Sequence, residues 1–300
     1  MATARTTHAT VEANGVRLHV ARRGRGRPLL LLHGWPEFWR TWEPLMERLS
    51  DRFDLLAPDF RGFGESEKPD PGPSDRATAA VHAADLLALL DALGLDRVGV
   101  VAHDVGASVT QVLARRAPER LAGLALFDCP YPGIGPRWAA PDHLKEIWYQ
   151  SFHQTPVAAA VVGASREACS AYIGHFLSHW AAGNPEGAFD AAAVEAWTEN
   201  FMRPGNLQGG FNWYIGAAEE RLRVIRGESP ALPPIAVPTL VRWGALDPIL
   251  RVAWADRLGE TFADLDVAPF EGVGHFPHRE APDRAAAEVA AFFDRRWPAP

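Results

Sequence analysis

Asp104 stands where a chain could present a carboxylate nucleophile. It lies between the apolar stretch 98–102 and a helical stretch at 106–116, and the small residues Ala102 and Gly106 flank it. A strand that turns sharply into a helix requires small neighbours and lifts the residue at its tip above the sheet. An aspartate at this place acts either as the cap of the helix or as a nucleophile that forms a covalent ester.

Asp247 and His275 could complete a catalytic triad with Asp104. Asp247 follows the apolar stretch 239–243, and His275 follows Gly274 in a later loop. A histidine can activate water near neutral pH, and an acid that accepts a hydrogen bond from its ring orients it. The order nucleophile, acid, histidine therefore predicts a two-step hydrolysis through an ester of Asp104.

Strands and helices are predicted to alternate along most of the chain. The turn signal Asn14-Gly15 divides a hairpin at 10–21, and the apolar stretch 28–32 is typical of a strand buried on both faces. Further strands are predicted at 53–57, 98–102, 121–127, 239–243 and 265–268, and helices at 39–49, 81–93, 106–116, 250–259 and 282–296. This alternation favours a parallel sheet covered by helices.

The stretch 133–230 interrupts the alternation. It is rich in Ala, Trp and His, is bounded by turn-rich sequences and has the pattern of several helices without a strand. We therefore expect a core domain formed by residues 1–133 and 232–300, with a helical cap at 134–231 inserted between its two parts.

The composition excludes several classes of protein. The chain has 300 residues, 47% of them hydrophobic, and a net charge of −7, which favours a globular protein and disfavours nucleic-acid binding. No apolar run is long enough to span a membrane, and residues 1–11 lack the apolar stretch of a secretory signal. The 2 cysteines favour a cytoplasmic protein. His175 and His179 have no third ligand nearby, so no metal site is predicted.

Five short motifs make the sequence resemble the α/β-hydrolase superfamily and, within it, the epoxide hydrolase branch. They are His33-Gly34-Trp35-Pro36, Asp59-Phe60-Arg61-Gly62-Phe63-Gly64-Glu65-Ser66, Ala102-His103-Asp104-Val105-Gly106, Trp243-Gly244-Ala245-Leu246-Asp247-Pro248 and Gly274-His275-Phe276-Pro277. The resemblance covers essentially the whole chain. It implies an α/β-hydrolase fold, which is a mostly parallel central sheet flanked by helices with an inserted helical cap.

The resemblance also implies roles for residues outside the triad. The backbone N–H groups of Trp35 and Val105 would form an oxyanion hole for the ester intermediate. Tyr149 and Tyr214 lie in segments that resemble the two stretches carrying the ring-opening tyrosine pair. A phenol, with a pKa of about 10, keeps its proton at neutral pH and can still donate it to an epoxide oxygen.

We therefore expect an epoxide hydrolase that adds water to an epoxide to give a vicinal diol and needs no cofactor. The aromatic residues Trp39, Trp148, Phe152 and Trp213 are expected to line its substrate pocket. Such a pocket favours a small apolar or aromatic epoxide, rather than a membrane or a nucleic acid, as the partner. A homodimer formed through the cap is compatible with the sequence.

Two alternative functions and one alternative site residue remain open. A hydrolytic dehalogenase acting on haloacetates or haloalkanes uses the same Asp and His chemistry. Val105 and the pair Tyr149-Gln150 depart from the residues that dehalogenases usually have at these positions. Asp128 nevertheless matches the acid position of fluoroacetate dehalogenases and competes with Asp247 as triad acid. A non-catalytic binding protein is disfavoured because it has no use for a nucleophile and a base.

Overall fold

The computed structural model describes residues 5–298 and contains one eight-stranded sheet in the order β1-β2-β4-β3-β5-β6-β7-β8. Its strands are β1 (Thr7–Ala13), β2 (Val16–Gly24), β3 (Arg27–Leu32), β4 (Phe53–Pro58), β5 (Val98–His103), β6 (Leu121–Phe127), β7 (Thr239–Gly244) and β8 (Leu265–Phe270). The pairs β1–β2 and β2–β4 are antiparallel, and all other neighbours are parallel. The mostly parallel sheet of the predicted α/β-hydrolase fold is confirmed. The first four and the last two residues of the predicted core domain lie outside the described residues.

The predicted hairpin joins β1 to β2. Asn14 and Gly15 have φ values of 50° and 74°, both in the left-handed region that a two-residue hairpin turn requires. In the middle of the sheet, β4, β5, β6 and β7 are buried along their whole length. Continuously apolar strands are thus covered on both faces, as their sequence predicts.

Helices cover the sheet and fill the stretch between β6 and β7. They are α1 (Glu43–Leu49), α2 (Ala79–Ala92), α3 (Val105–Arg116), α4 (Trp148–Phe152), α5 (Ala158–Val162), α6 (Arg166–Trp180), α7 (Pro185–Ala188), α8 (Ala191–Met202), α9 (Asn206–Gly216), α10 (Ala218–Arg226), α11 (Pro277–Glu280) and α12 (Pro282–Arg296), with 3₁₀ helices at Trp39–Trp42, Pro118–Arg120, Pro132–Ala139 and Val252–Glu260. Residues 132–226, which we call the helical segment, contain helices and no strand. None of the helices in the described part of the chain is long and apolar enough to cross a membrane.

Two predicted helices differ in detail from the structure. The stretch 39–49 is divided into a 3₁₀ turn and α1, because Pro44 stands in the first turn of α1, where proline favours a helix start. The stretch 250–259 is a 3₁₀ helix at Val252–Glu260 instead of an α-helix. The Tyr131 hydroxyl donates to the Trp254 carbonyl and accepts from the Arg257 N–H, so neither group is available for regular α-helical pairing.

The carboxyl ends of the parallel strands meet at one edge of the sheet. The loops that follow β3, β5, β6, β7 and β8 carry, in that order, Trp35, Asp104, Asp128, Asp247 and His275. In open α/β sheets this edge is where ligands bind. Residues far apart in the sequence are thus brought to one place.

Candidate active site

Asp104 occupies a strained turn between β5 and α3. Its φ of 45° and ψ of −110° are rarely adopted by a residue with a side chain, and strain of this kind is concentrated at functional sites. The turn is tight because α3 packs closely against β3. A Cβ atom on Gly106 would overlap the backbone carbonyl of Leu32, so only glycine fits there.

The loop after β3 contacts the Asp104 carboxylate. The Trp35 N–H donates to Asp104 Oδ2 at 3.2 Å, and a Cβ on Gly34 would lie 2.8 Å from the Asp104 Cβ. The peptide bond between Trp35 and Pro36 is cis. Val105, which follows Asp104, is the first residue of α3, so its N–H has no partner within the helix. The structure places both predicted oxyanion residues next to the carboxylate.

His275 and Asp247 form a buried hydrogen-bonded pair. His275 Nδ1–H donates to Asp247 Oδ2 at 2.7 Å, and Asp247 Oδ1 accepts from the N–H groups of Ile249 at 2.7 Å and Leu250 at 2.9 Å. Burial acts to lower the pKa of His275, but the charge and hydrogen bond of Asp247, together with the charge of Asp104, raise it to about 9. The imidazole is therefore cationic at neutral pH as long as both carboxylates are charged.

Asp128 lies beside this pair without binding His275 directly. Its Oδ1 accepts from the Gly244 N–H at 2.8 Å, and its φ of 42° is also left-handed. Polar atoms of Asp128, Asp247 and His275 all lie within 4.8 Å of one another. Burial and the negative charge of Asp247 raise the pKa of Asp128 well above its usual value. Asp128 therefore holds a proton more readily than an aspartate in water does.

The helical segment places two phenols over the same edge of the sheet. The rings of Tyr149 and Tyr214 are buried, lie 5.5 Å apart and are nearly perpendicular. Trp35 stacks on Tyr149 at 5.2 Å and meets Tyr214 edge-on at 5.6 Å. Burial and the negative charge of Asp104 raise the pKa of both phenols, so each keeps its proton.

The aromatic surroundings of the phenols differ from the predicted pocket. Phe176, Trp180 and His153 contact Tyr149, and Trp180 also packs on His275 with ring centroids 5.1 Å apart. None of these three residues was predicted from the sequence, although His153 lies one helical turn after Tyr149. Phe176 and Trp180 are distant in the sequence, and their positions give no sign that they contact Tyr149.

The four residues predicted to line the pocket do not contact Tyr149 or Tyr214 in the ring pairs described above, and two of them pack against other groups. Trp39 packs against His8 and His19, and Trp213 packs against His82. The other two, Trp148 and Phe152, lie on the outer side of the aromatic rings that surround Tyr149. Trp148 is 44% exposed and contacts Phe152, which in turn contacts Tyr172. The pocket role of these four residues stays a prediction.

A second set of buried residues, centred on Glu37 and not predicted from the sequence, joins three of the loops. Glu37 accepts from the Gly34 N–H at 2.6 Å, from His103 Nδ1 at 2.6 Å and from His278 Nε2 at 2.9 Å. His103 Nε2–H donates in turn to the His275 carbonyl at 2.6 Å. Burial opposes the ionisation of Glu37, but the two histidines hold its pKa well below the usual range. This network fixes the Trp35 loop, the Asp104 turn and the His275 loop relative to one another.

Both acid–histidine groups have the residue types of a metal site. Their ligating atoms lie within 4.8 Å of one another in each case. Glu37, however, binds both of its histidines directly, and Asp247 binds His275 in the same way. The arrangement of each group is therefore explained by hydrogen bonds among its own members, and we assign no cofactor to either.

The comparisons with known proteins agree with the fold described above. A protein-family model described as alpha/beta hydrolase fold matches residues 27–282. A soluble epoxide hydrolase of Corynebacterium sp. (strain C12) is 29% identical over 96% of this chain and 97% of its own, and epoxide hydrolase A of Mycobacterium tuberculosis is 29% identical over 95% and 97%. Among solved structures, the ligand-free epoxide hydrolase CorEH is 27% identical with a TM-score of 0.83, covering 97% of this chain and 99% of that one. Wild-type Cfl2 of Burkholderia cenocepacia is 31% identical with a TM-score of 0.81, covering 95% of both chains.

Proposed function

Because this chain belongs to the α/β-hydrolase family, in its epoxide hydrolase branch, we propose that it hydrolyses epoxides to vicinal diols without a cofactor. The observation that carries the proposal is the Asp104 carboxylate held in a strained turn, with Trp35 donating to it and packing against two buried phenols. An epoxide between them would meet a nucleophile on one side and proton donors on the other.

The first step opens the ring. Asp104 attacks an epoxide carbon, so a new C–O bond to the carboxylate forms and one C–O bond of the ring breaks. The electron pair of the broken bond stays on the epoxide oxygen, which takes a proton from Tyr149 or Tyr214. The product is a hydroxyalkyl ester of Asp104 and a tyrosinate, and the nearby phenols make the oxygen a much better leaving group.

The second step hydrolyses the ester. Esterification removes the negative charge of Asp104, which is one of the causes of the raised pKa of His275. The imidazolium can then give its proton to the tyrosinate formed in the first step, which leaves His275 neutral. Its Nε2 takes a proton from water, and the hydroxide attacks the ester carbonyl. The tetrahedral oxyanion would accept hydrogen bonds from the N–H groups of Trp35 and Val105. Cleavage of the acyl C–O bond releases the diol, which takes one of the two protons of the attacking water. The other proton stays on His275, so the Asp104 carboxylate, the imidazolium and both phenols are restored.

We assign the helical segment the role of a lid. It supplies both phenols, while the core supplies the nucleophile, the base and the acid, so the reacting groups face one another across the two parts. The boundaries proposed from the sequence, a lid at 134–231 between core residues 1–133 and 232–300, fit the helices observed between β6 and β7. Closing these surfaces over the substrate would exclude water from the first step.

Substituting the two acids separately tests which of them orients His275. We expect Asp247→Asn to lower kcat by about 10²–10⁴-fold, because an amide cannot stabilise the imidazolium that forms during hydrolysis. Asp128→Asn should lower kcat by less than about tenfold, since Asp128 does not bind the ring. Steady-state diol formation by the two variants is the measurement. The opposite ranking would make Asp128 the triad acid.

The tyrosine pair is tested by removing its hydroxyls. We expect the double variant Tyr149→Phe and Tyr214→Phe to lose about 10²–10⁴-fold in diol formation, because no proton donor then faces the epoxide oxygen. Tyr131→Phe is the matched control: this phenol donates to the Trp254 carbonyl and should affect thermal stability more than turnover. Full activity of the double variant would remove the phenols from the mechanism.

A dehalogenase is the second candidate, supported by the position of Asp128 next to Asp247 and His275. Displacing a halide needs no proton for the leaving group, so the phenols would have no task in that reaction. Parallel assays with an aryl epoxide and with haloacetates separate the two functions. Diol formation without halide release supports the epoxide hydrolase, whereas halide release alone would replace it.

A further inference from the structure

Two aspartates lie next to the proposed base, although only one of them binds it. Asp128 follows β6 and Asp247 follows β7, and both residues are buried. A carboxyl oxygen of each lies within 4.8 Å of the other and of a ring nitrogen of His275. Among residues 5–298, His275 is the only basic side chain within 4.0 Å of either carboxyl group. Two buried acids therefore face a single cation.

The two carboxyl groups differ in the hydrogen-bond donors that they meet. Asp247 accepts three hydrogen bonds, one from His275 Nδ1 and two from backbone N–H groups. Asp128 accepts one, from the Gly244 N–H to Oδ1 at 2.8 Å, and its Oδ2 is buried without a donor among the described residues. Hydrogen bonds to the charged form favour ionisation. This difference places the negative charge on Asp247 and the proton on Asp128.

The groups around Asp128 also oppose a second negative charge at this place. Burial, the charge of Asp247, a hydrogen bond between the two carboxyl groups and the charge of Glu280 on α11 all raise the pKa of Asp128. The Gly244 N–H acts in the opposite direction and is outweighed. The neighbouring thiol of Cys129 is neutral, because burial raises its pKa, and it offers no counter-charge. Two carboxyl groups this close in a buried site do not both ionise.

We propose that Asp128 is a positioning residue that keeps a proton on Oδ2 and uses it to donate a hydrogen bond to Asp247. The two acids then carry one negative charge between them. A buried carboxylate oxygen without a donor is costly, whereas a hydroxyl at the same place has the Asp247 carboxylate as its acceptor. Asp128 touches no reacting atom and acts only through Asp247. This inference rests on the proposed function, in which His275 is the base.

A single negative charge keeps His275 usable as a base. Burial acts to lower the pKa of His275, but Asp247 and Asp104 raise it to about 9. A full charge on Asp128 would raise it further, so that the imidazolium would keep its proton when the ester has to be hydrolysed. The proton on Asp128 avoids this effect. Its hydrogen bond also holds the Asp247 carboxylate in place against His275 Nδ1.

Infrared spectroscopy tests for the proton on Asp128 without any substrate. A protonated carboxylic acid has a C=O stretching band at a frequency above the amide bands. At neutral pH the wild-type protein should have such a band, and Asp128→Asn should lack it. Asp256→Asn, whose parent carboxylate pairs with Arg137 on the surface, is the matched control and should keep it. If Asp128→Asn removes no band, Asp128 is ionised and the inference is wrong.

The titration of His275, followed by NMR in the substrate-free protein, is the second measurement. Asp128→Asn should leave its pKa within about half a unit, because a neutral amide N–H can donate to Asp247 as the hydroxyl does. A decrease of about one unit or more would instead mean that a negative charge had been removed, and would overturn the inference.

Asp128→Gly removes the donor and still fits the backbone, since glycine readily adopts the φ of 42° found here. The negative charge is then concentrated on Asp247, so the pKa of His275 should rise by about half a unit or more. Ester hydrolysis should accordingly need a higher pH than in the wild-type protein. An unchanged pKa in this variant would mean that Asp128 does not act through Asp247.

The two readouts separate this inference from the proposed function, because both are taken on the free protein. A missing infrared band together with normal diol formation would overturn only the role of Asp128. The presence of the band in a protein that forms no diol from an aryl epoxide would overturn the proposed function and leave the proton on Asp128 established.

Discussion

Replacing His275 by glutamine is expected to stop the enzyme after its first step. In the proposed mechanism Asp104 attacks the epoxide carbon directly, and this step needs no base. Hydrolysis of the resulting ester requires a base that accepts a proton from water, and we assign this role to His275. We therefore expect diol turnover to fall by about 10³-fold or more while one equivalent of ester accumulates on the protein.

Intact-protein mass spectrometry measures this outcome directly. The His275→Gln protein should gain the full mass of the epoxide at a stoichiometry of one, and peptide mapping should place the adduct on Asp104. The double variant Asp104→Ala and His275→Gln is the control and should gain nothing. A His275→Gln protein that turns over normally, or an adduct on any other residue, would contradict the assignment of the base or of the nucleophile.

The raised pKa of His275 adds a pH dependence with a definite sign. In the free protein the pKa is about 9, and part of the increase comes from the charge of Asp104, which the ester lacks. The hydrolytic step should therefore show a lower pKa than the free protein. Below that pKa the imidazole is protonated and cannot accept a proton from water, so acidification should make the wild-type enzyme accumulate the same ester that His275→Gln does.

The residues that follow the strands were predictable because a parallel sheet determines where its loops lie. Continuously apolar stretches such as 98–102 identify the buried strands, and the ends of these strands must meet at one edge. The sequence therefore predicts that Asp104, Asp247 and His275 lie at the same edge of the sheet, where the structure has them. The small residues around Asp104 also predict the sharp turn, because a larger residue at Gly106 would overlap the Leu32 carbonyl.

The helical segment could not be interpreted in the same way. Its helices are short, and their packing angles depend on contacts between distant residues rather than on a repeating sheet geometry. Trp148, which was expected in the pocket, is 44% exposed, and Trp180, which was not predicted, contacts His275 from the end of α6.

The Glu37 network shows a second kind of information that the sequence lacks. A buried carboxylate is stable only if hydrogen bonds replace those it loses to water, and here they come from residues as distant as His103 and His278. The network therefore couples the geometry of the nucleophile turn to that of the His275 loop. Each catalytic loop is held in position by residues from the others, although none of these contacts involves a reacting atom.

The oxygen that Asp104 donates to the product gives the most direct test of the proposed chemistry. In a single turnover in ¹⁸O-water, with enzyme in excess over epoxide, the diol should contain unlabelled oxygen from the Asp104 carboxylate. The label should enter Asp104 instead, because water attacks the ester carbonyl and the acyl C–O bond breaks. A second equivalent of epoxide should then release diol that carries ¹⁸O.

Asp104→Ala supplies the matching loss of function. We expect diol formation to fall by about 10⁴-fold or more, because without the carboxylate no group of the protein forms a bond to the epoxide carbon. Asp128→Asn, which keeps the nucleophile, is the control and should label Asp104 as the wild-type protein does. If ¹⁸O entered the diol in the first turnover, water would be attacking the epoxide directly. Asp104 would then act as a general base, and the strained turn would serve to position it for proton transfer rather than for bond formation.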